Sequence, residues 1–107
     1  MEHSSGIWIK VSDGKDIPHG GVRIIFPKGL PLLLIRKGNE VMALSNRCPH
    51  MGCPLSGGSL EGDVIRCPCH DWAFNIRTGK SVQAEEIKVA TYQVRTENGS
   101  VFVKLEV

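Results

Sequence analysis

The sequence predicts an all-β fold, a small antiparallel sandwich or barrel formed as one domain over residues 1–107. Three observations predict it. Short runs of β-branched and aromatic residues recur between glycine-containing turns. Two of those turns, KGNE and ENGS, have the composition of hairpin connections. No stretch holds an apolar period of three to four residues with capping residues at its ends, so no major helix is expected.

The elements follow in order along the chain. Residues 7–11, IWIKV, read as the first strand and lead into the turn SDGKD. Residues 22–26, VRIIF, form the second, and PKG stops it. Residues 32–36 and 41–45 flank KGNE as a hairpin, and 64–66 follow the turn EGD. Residues 72–77 run into TGK, and residues 92–96 and 101–106 flank ENGS. There is no internal repeat, low-complexity tract or linker.

Composition narrows the function. The net charge of +2 is small and no Lys/Arg stripe runs along the chain, which argues against nucleic acid as a partner. The start, MEHSSGIWIK, lacks the basic and apolar regions of a secretory signal. The longest apolar run, LPLLLI, is too short to span a bilayer. A soluble, cytoplasmic protein without a membrane anchor is the expectation. No nucleophile sits beside a recognisable base and no glycine-rich phosphate loop follows a strand, so catalysis by the chain alone is not indicated.

The chemistry lies in two short stretches, CPHMGC and CPCHDW. They hold all four cysteines and two of the four histidines, and both fall on connections between predicted strands. Cys48 and His50 form C-x-H, and Cys67 and His70 form C-x-x-H. Soft thiolates and borderline imidazoles at such spacing point to a metal. Structural zinc remains a reading, although zinc ribbons favour C-x-x-C knuckles. A plain disulfide framework leaves the paired histidines without a role. His3 and His19 have no cysteine partner nearby and read as solvated surface residues.

One Cys and one His from each of two loops is also the arrangement of a Rieske [2Fe-2S] centre, where two thiolates hold one iron and two imidazoles the other. The chain resembles the Rieske family closely over CPHMGCPLSGG and CPCHDWAF, and loosely through the flanking strands to ENGSVFV. The resemblance implies a Rieske-type sandwich with a cluster-binding subdomain inserted at about residues 46–84, and one [2Fe-2S] cluster per chain. It implies Cys48 and Cys67 as ligands of the inner iron and His50 and His70 as ligands of the outer one.

The resemblance also assigns the remaining residues. In Rieske proteins of cytochrome bc complexes, cysteines matching Cys53 and Cys69 form a disulfide between the two loops. The same proteins carry hydroxyl residues at the places of Trp72 and Phe74, which donate to sulfur. HDWAF resembles instead the pattern of oxygenase-type centres and of the nitrite reductase small subunit, so Trp72 and Phe74 are expected to tune the potential by offering no hydroxyl. Family members often cover the cluster with a proline-containing loop after TGK, whereas SVQAEEIKVATY has no proline.

The function implied is a ferredoxin-like one-electron carrier between a reductase and a terminal oxidoreductase. A non-catalytic small subunit of an enzyme such as nitrite reductase or a ring-hydroxylating oxygenase is the alternative, and a zinc-stabilised interaction module is the third reading.

Overall fold

A computed structural model of the chain describes residues 6–48, 53–69, 72–84 and 86–106. Ten strands run through the described residues: β1 (Gly6–Asp13), β2 (Val22–Ile25), β3 (Leu32–Lys37), β4 (Glu40–Ser45), β5 (Ser59–Glu61), β6 (Val64–Arg66), β7 (Ala73–Asn75), β8 (Thr91–Tyr92), β9 (Val94–Glu97) and β10 (Ser100–Glu106). They form three sheets, β1-β10-β9, β2-β3-β4-β8 and β5-β6-β7, each antiparallel throughout.

The apolar run of β3 decides how the sheets stack. Leu32, Leu33, Leu34 and Ile35 are all buried, at 0–1% exposure. Side chains alternate across a strand, so a strand buried on both faces must be apolar at successive positions. Leu33 and Ile35 pack with Leu44, Leu55, Ile65 and Phe74 on one face. Leu32 and Leu34 pack with Ala43, Val101, Val103 and Leu105 on the other. The four-stranded sheet is therefore a middle layer, with the β1-β10-β9 sheet on one side and the small β5-β6-β7 sheet on the other.

The turns take the expected form. Asn98 and Gly99 connect β9 to β10 with φ of 51° and 81°, the pair of left-handed residues that a tight hairpin needs. Three strand assignments change. The predicted strand over residues 92–96 is two strands in different sheets: β8 pairs with β4, the chain breaks at Gln93, and β9 pairs with β10. β-propensity cannot show a change of sheet, because both halves are equally extended. The strand predicted over residues 72–77 narrows to Ala73–Asn75, and β5, absent from the prediction, pairs with β6 across Gly62. Only three residues long and mostly exposed, SLE carries little alternation to read.

Candidate metal centre

The third sheet exists to hold two loops. One connects β4 to β5 and the other β6 to β7, and both emerge at the same end, where Ser59 pairs with Arg66. They close in the same way. The Cys48 N–H donates to the Cys53 carbonyl at 2.8 Å, and the Cys67 N–H donates to the Trp72 carbonyl at 2.8 Å. Each loop thus spans six residues and opens on a cysteine. Cys48 and Cys67 are buried, at 1% and 3% exposure, within the core between the middle and third sheets.

The remaining cysteines join the loops to each other. Cys53 and Cys69 form a disulfide with Cα atoms 6.4 Å apart. A second contact supports it: a Cβ built on Gly57 would lie 3.5 Å from Pro68 Cγ. The next glycine is required outright, because a Cβ at Gly58 would run into the Arg66 carbonyl oxygen. The tail of the first loop therefore presses directly on the backbone leading into Cys67. Asn46, buried, anchors that tail. Its Oδ1 accepts the Ser56 N–H at 2.8 Å, its Nδ2 donates to Ser56 Oγ at 3.2 Å, and its own N–H donates to the Pro31 carbonyl at 2.8 Å.

On the opposite flank runs the stretch without proline. Ser81, buried, makes a compact turn in which its Oγ accepts the Gln83 N–H at 3.1 Å and the Ala84 N–H at 3.3 Å. The strap is tied to the residue after Trp72. The Val82 N–H donates to the Ala73 carbonyl at 2.8 Å, and the Ala73 N–H donates to Gln83 Oε1 at 3.1 Å. A serine turn with a glutamine clamp thus fixes backbone that a proline would stiffen covalently. Upstream, Gly79 adopts φ +80°, and any Cβ there would meet the Val89 carbonyl.

Trp72 is half-buried against the core that contains Cys48 and Cys67, and Phe74 is fully buried opposite Ile65. His50 and His70 lie outside the described residues, as does His3, while His19 is exposed. The structure therefore brings together Cys48, Cys67, Cys53, Cys69, Trp72 and Phe74. Sequence reading missed Asn46, Ser81 and Gln83, which are loop-type polar residues with no spacing signature of their own.

Charges gather at the far end, where the β3–β4 and β5–β6 turns meet. Arg77 contacts Glu40 at 2.9 Å and Asp63 at 3.3 Å, and Lys37 lies 3.4 Å from Asp63. The Arg77 guanidinium, hydrogen-bonded to both carboxylates, holds Glu40 and Asp63 below their ordinary range, and they raise Arg77 in turn.

The donor set fits an iron–sulfur cluster. Two buried thiols open matched loops, while the other two cysteines are diverted into a bridge between those loops. Such a pair of loops on a small antiparallel sheet defines a cluster-carrying protein. The chain belongs to the Rieske [2Fe-2S] family, whose domain matches residues 7–93. It is 35% identical over 99 residues to Ferredoxin CarAc of Metapseudomonas resinovorans, covering 91% of this chain and 92% of that protein. It is 36% identical over 100 residues to the ferredoxin component of the naphthalene 1,2-dioxygenase/salicylate 5-hydroxylase systems of a Ralstonia species, covering 92% and 96%. Among solved structures, a ferredoxin of Sphingomonas yanoikuyae B1 superposes with a TM-score of 0.83 at 25% identity, covering 92% of this chain and 99% of that one. A chain in the complex of reduced oxygenase and oxidized ferredoxin of carbazole 1,9a-dioxygenase superposes with a TM-score of 0.82 at 35% identity, covering 91% and 92%. A Rieske cluster exchanges one electron at a time, so the chain is an electron carrier of the ferredoxin type.

Proposed function

We propose that the chain is the ferredoxin component of an aromatic-ring oxygenase system, taking one electron from a reductase and passing it to the terminal oxygenase. The observation that carries this reading is coverage: the chain spans more than nine-tenths of ferredoxins named as components of such systems. Cys48 and Cys67, both buried, would hold one iron of the cluster, and His50 and His70 the other. The cluster, when bound, supplies reversible uptake of a single electron.

The chain's own residues supply the rest. Leu55 and Phe74, both fully buried, exclude water beneath the loops. The Cys53–Cys69 bridge and the Ser81–Gln83 strap hold the two ligand loops at a fixed separation, so little rearrangement accompanies the change of charge. No helix among the described residues is long and apolar enough to cross a membrane, and we place the protein in the cytoplasm with its reductase.

The purified protein should hold two irons and two acid-labile sulfides and give, when reduced, the low-average-g EPR signal of mixed Cys/His ligation. His50→Ala or His70→Ala should abolish that signal. Reduced protein mixed with the terminal oxygenase of an aromatic-ring dioxygenase system should be reoxidised by it within a single turnover. An unaltered signal in either histidine variant removes that residue from the ligand set, and permanent assembly with a large enzyme during purification overturns the free carrier.

A further inference from the structure

The end of β2 and the turn that follows it expose three large apolar side chains beside the first loop, while Val82 on the strap, 62% exposed, stands alone on the other side. Phe26 is 64% exposed, Ile24 46% and Leu30 42%. Ile24 and Phe26 are two residues apart at the outer edge of the middle sheet, so they lie toward one face. The turn is rigidly joined to the first ligand loop. Pro31 accepts the N–H of Asn46, two residues before Cys48, and β2 touches the short turn at Leu55–Gly57.

The surroundings are basic. Lys28 sits at the tip of the turn and Arg47 beside Cys48, both exposed, and neither forms an ion pair among the described residues. From Ile17 to Leu60 the chain has one carboxylate, Glu40, and it is engaged at the far end with Arg77. Lys28 also holds φ 54°, ψ 31°, a left-handed conformation that L-residues seldom adopt, although glycine occupies the very next position. A lysine in that conformation is uncommon and holds the tip of the turn in one defined shape. Exposed apolar groups rimmed by charge of one sign are the composition of a docking face, the charge steering approach and the apolar centre holding contact.

We propose that Phe26, Ile24 and Leu30, with Lys28 and Arg47, form a docking face for a redox protein whose own contact surface is an apolar centre ringed by carboxylates. This rests on the carrier reading above, and binding can be measured without electron transfer.

The probe is the soluble domain of cytochrome b5, a redox protein with carboxylates around its haem edge. Calorimetric titration into the holoprotein at low salt should show binding that weakens as salt rises. Lys28→Glu should weaken it at least fivefold, and Lys15→Glu, the same charge change at the opposite end of the molecule, less than twofold. Phe26→Ser should weaken it at low and high salt alike. Lys28→Asn, which removes the charge and suits the left-handed backbone, should weaken it with the visible cluster spectrum unchanged. Carbodiimide coupling of the complex should consume Lys28. Absence of salt-sensitive binding, or equal losses from Lys28→Glu and Lys15→Glu, overturns the proposal. So does a self-associated form that Phe26→Ser disperses, which gives the face to a second copy of the chain. Failure of the carrier reading shows separately, as a missing EPR signal in protein that still binds.

Discussion

Asn46 reaches across the base of the first cysteine loop to Ser56, accepting its backbone N–H at 2.8 Å and donating to its hydroxyl at 3.2 Å. The pair fastens the loop tail to the last residues before Cys48, and Leu55 beside it fills the core below. Asn46→Ala leaves a backbone N–H without its acceptor in a part-buried site, a loss of about 1–3 kcal/mol. The expected result is a lower melting temperature and faster bleaching of the cluster's visible absorption. Asn46→Asp, which keeps the acceptor, should lose less.

The Cys53–Cys69 bridge encloses a sequence separation of 16 residues. Loop-closure entropy for a ring of that size corresponds to about 3 kcal/mol. A Cys53→Ser, Cys69→Ser double variant should therefore lose its cluster faster on heating while retaining the EPR signal at low temperature. Alkylation of unreduced, denatured protein followed by intact mass should label two cysteines once the cluster is removed. Four labels would show that the bridge is absent in solution.

Gln83 replaces a covalent stiffener with hydrogen bonds. Its Oε1 accepts both the Ala73 N–H and the Ser81 hydroxyl at 3.1 Å. Gln83→Ala should release the strap locally, at a cost of about 1 kcal/mol. Amide exchange at Ala73 and Val82 should accelerate roughly five- to tenfold, with the strands of the other two sheets unaffected. Uniform acceleration across the chain would mean that the strap unfolds only with the whole domain.

The far-end charge network gives a pH dependence of known sign. The folded pKa values of Glu40 and Asp63 are depressed from 4.5 and 3.8 by hydrogen bonds to Arg77. A depressed carboxylate adds stability above its unfolded pKa and loses it as pH falls through the folded value. The melting-temperature difference between wild type and Arg77→Met should thus be constant near neutrality and shrink as the pH falls from about 5 toward 3. All partners are solvent-exposed, so the difference should be small and should fade in high salt.

Phe74 is fully buried against the core that holds both buried thiols. Neither it nor Trp72 offers a hydroxyl to sulfur, so the potential should fall in the lower half of the Rieske range, about −150 to +75 mV. Phe74→Tyr adds a donor in that core and should raise the potential, with the melting temperature nearly held. Protein-film voltammetry of both proteins decides it, and a wild-type value near the top of the family range would assign the tuning to backbone donors instead.

The all-β class, the hairpins and the two cysteine loops were legible in the sequence, because each rests on local chemistry. Left-handed turn residues such as Asn98 and Gly99 announce a hairpin by themselves, and thiols and imidazoles at loop spacing announce a metal wherever they fall. Tertiary structure alone decided the rest. The unbroken apolar run of residues 32–35 marks a strand covered on both faces, but only the packing shows what covers each: the third sheet over Leu33 and Ile35, and β10 over Leu32 and Leu34. The break at Gln93 is a change of partner between equally extended residues, which no propensity records. Asn46, Ser81 and Gln83 are ordinary loop residues until the chain brings Ser56 and Ala73 within hydrogen-bond reach, so their roles exist only in the folded protein.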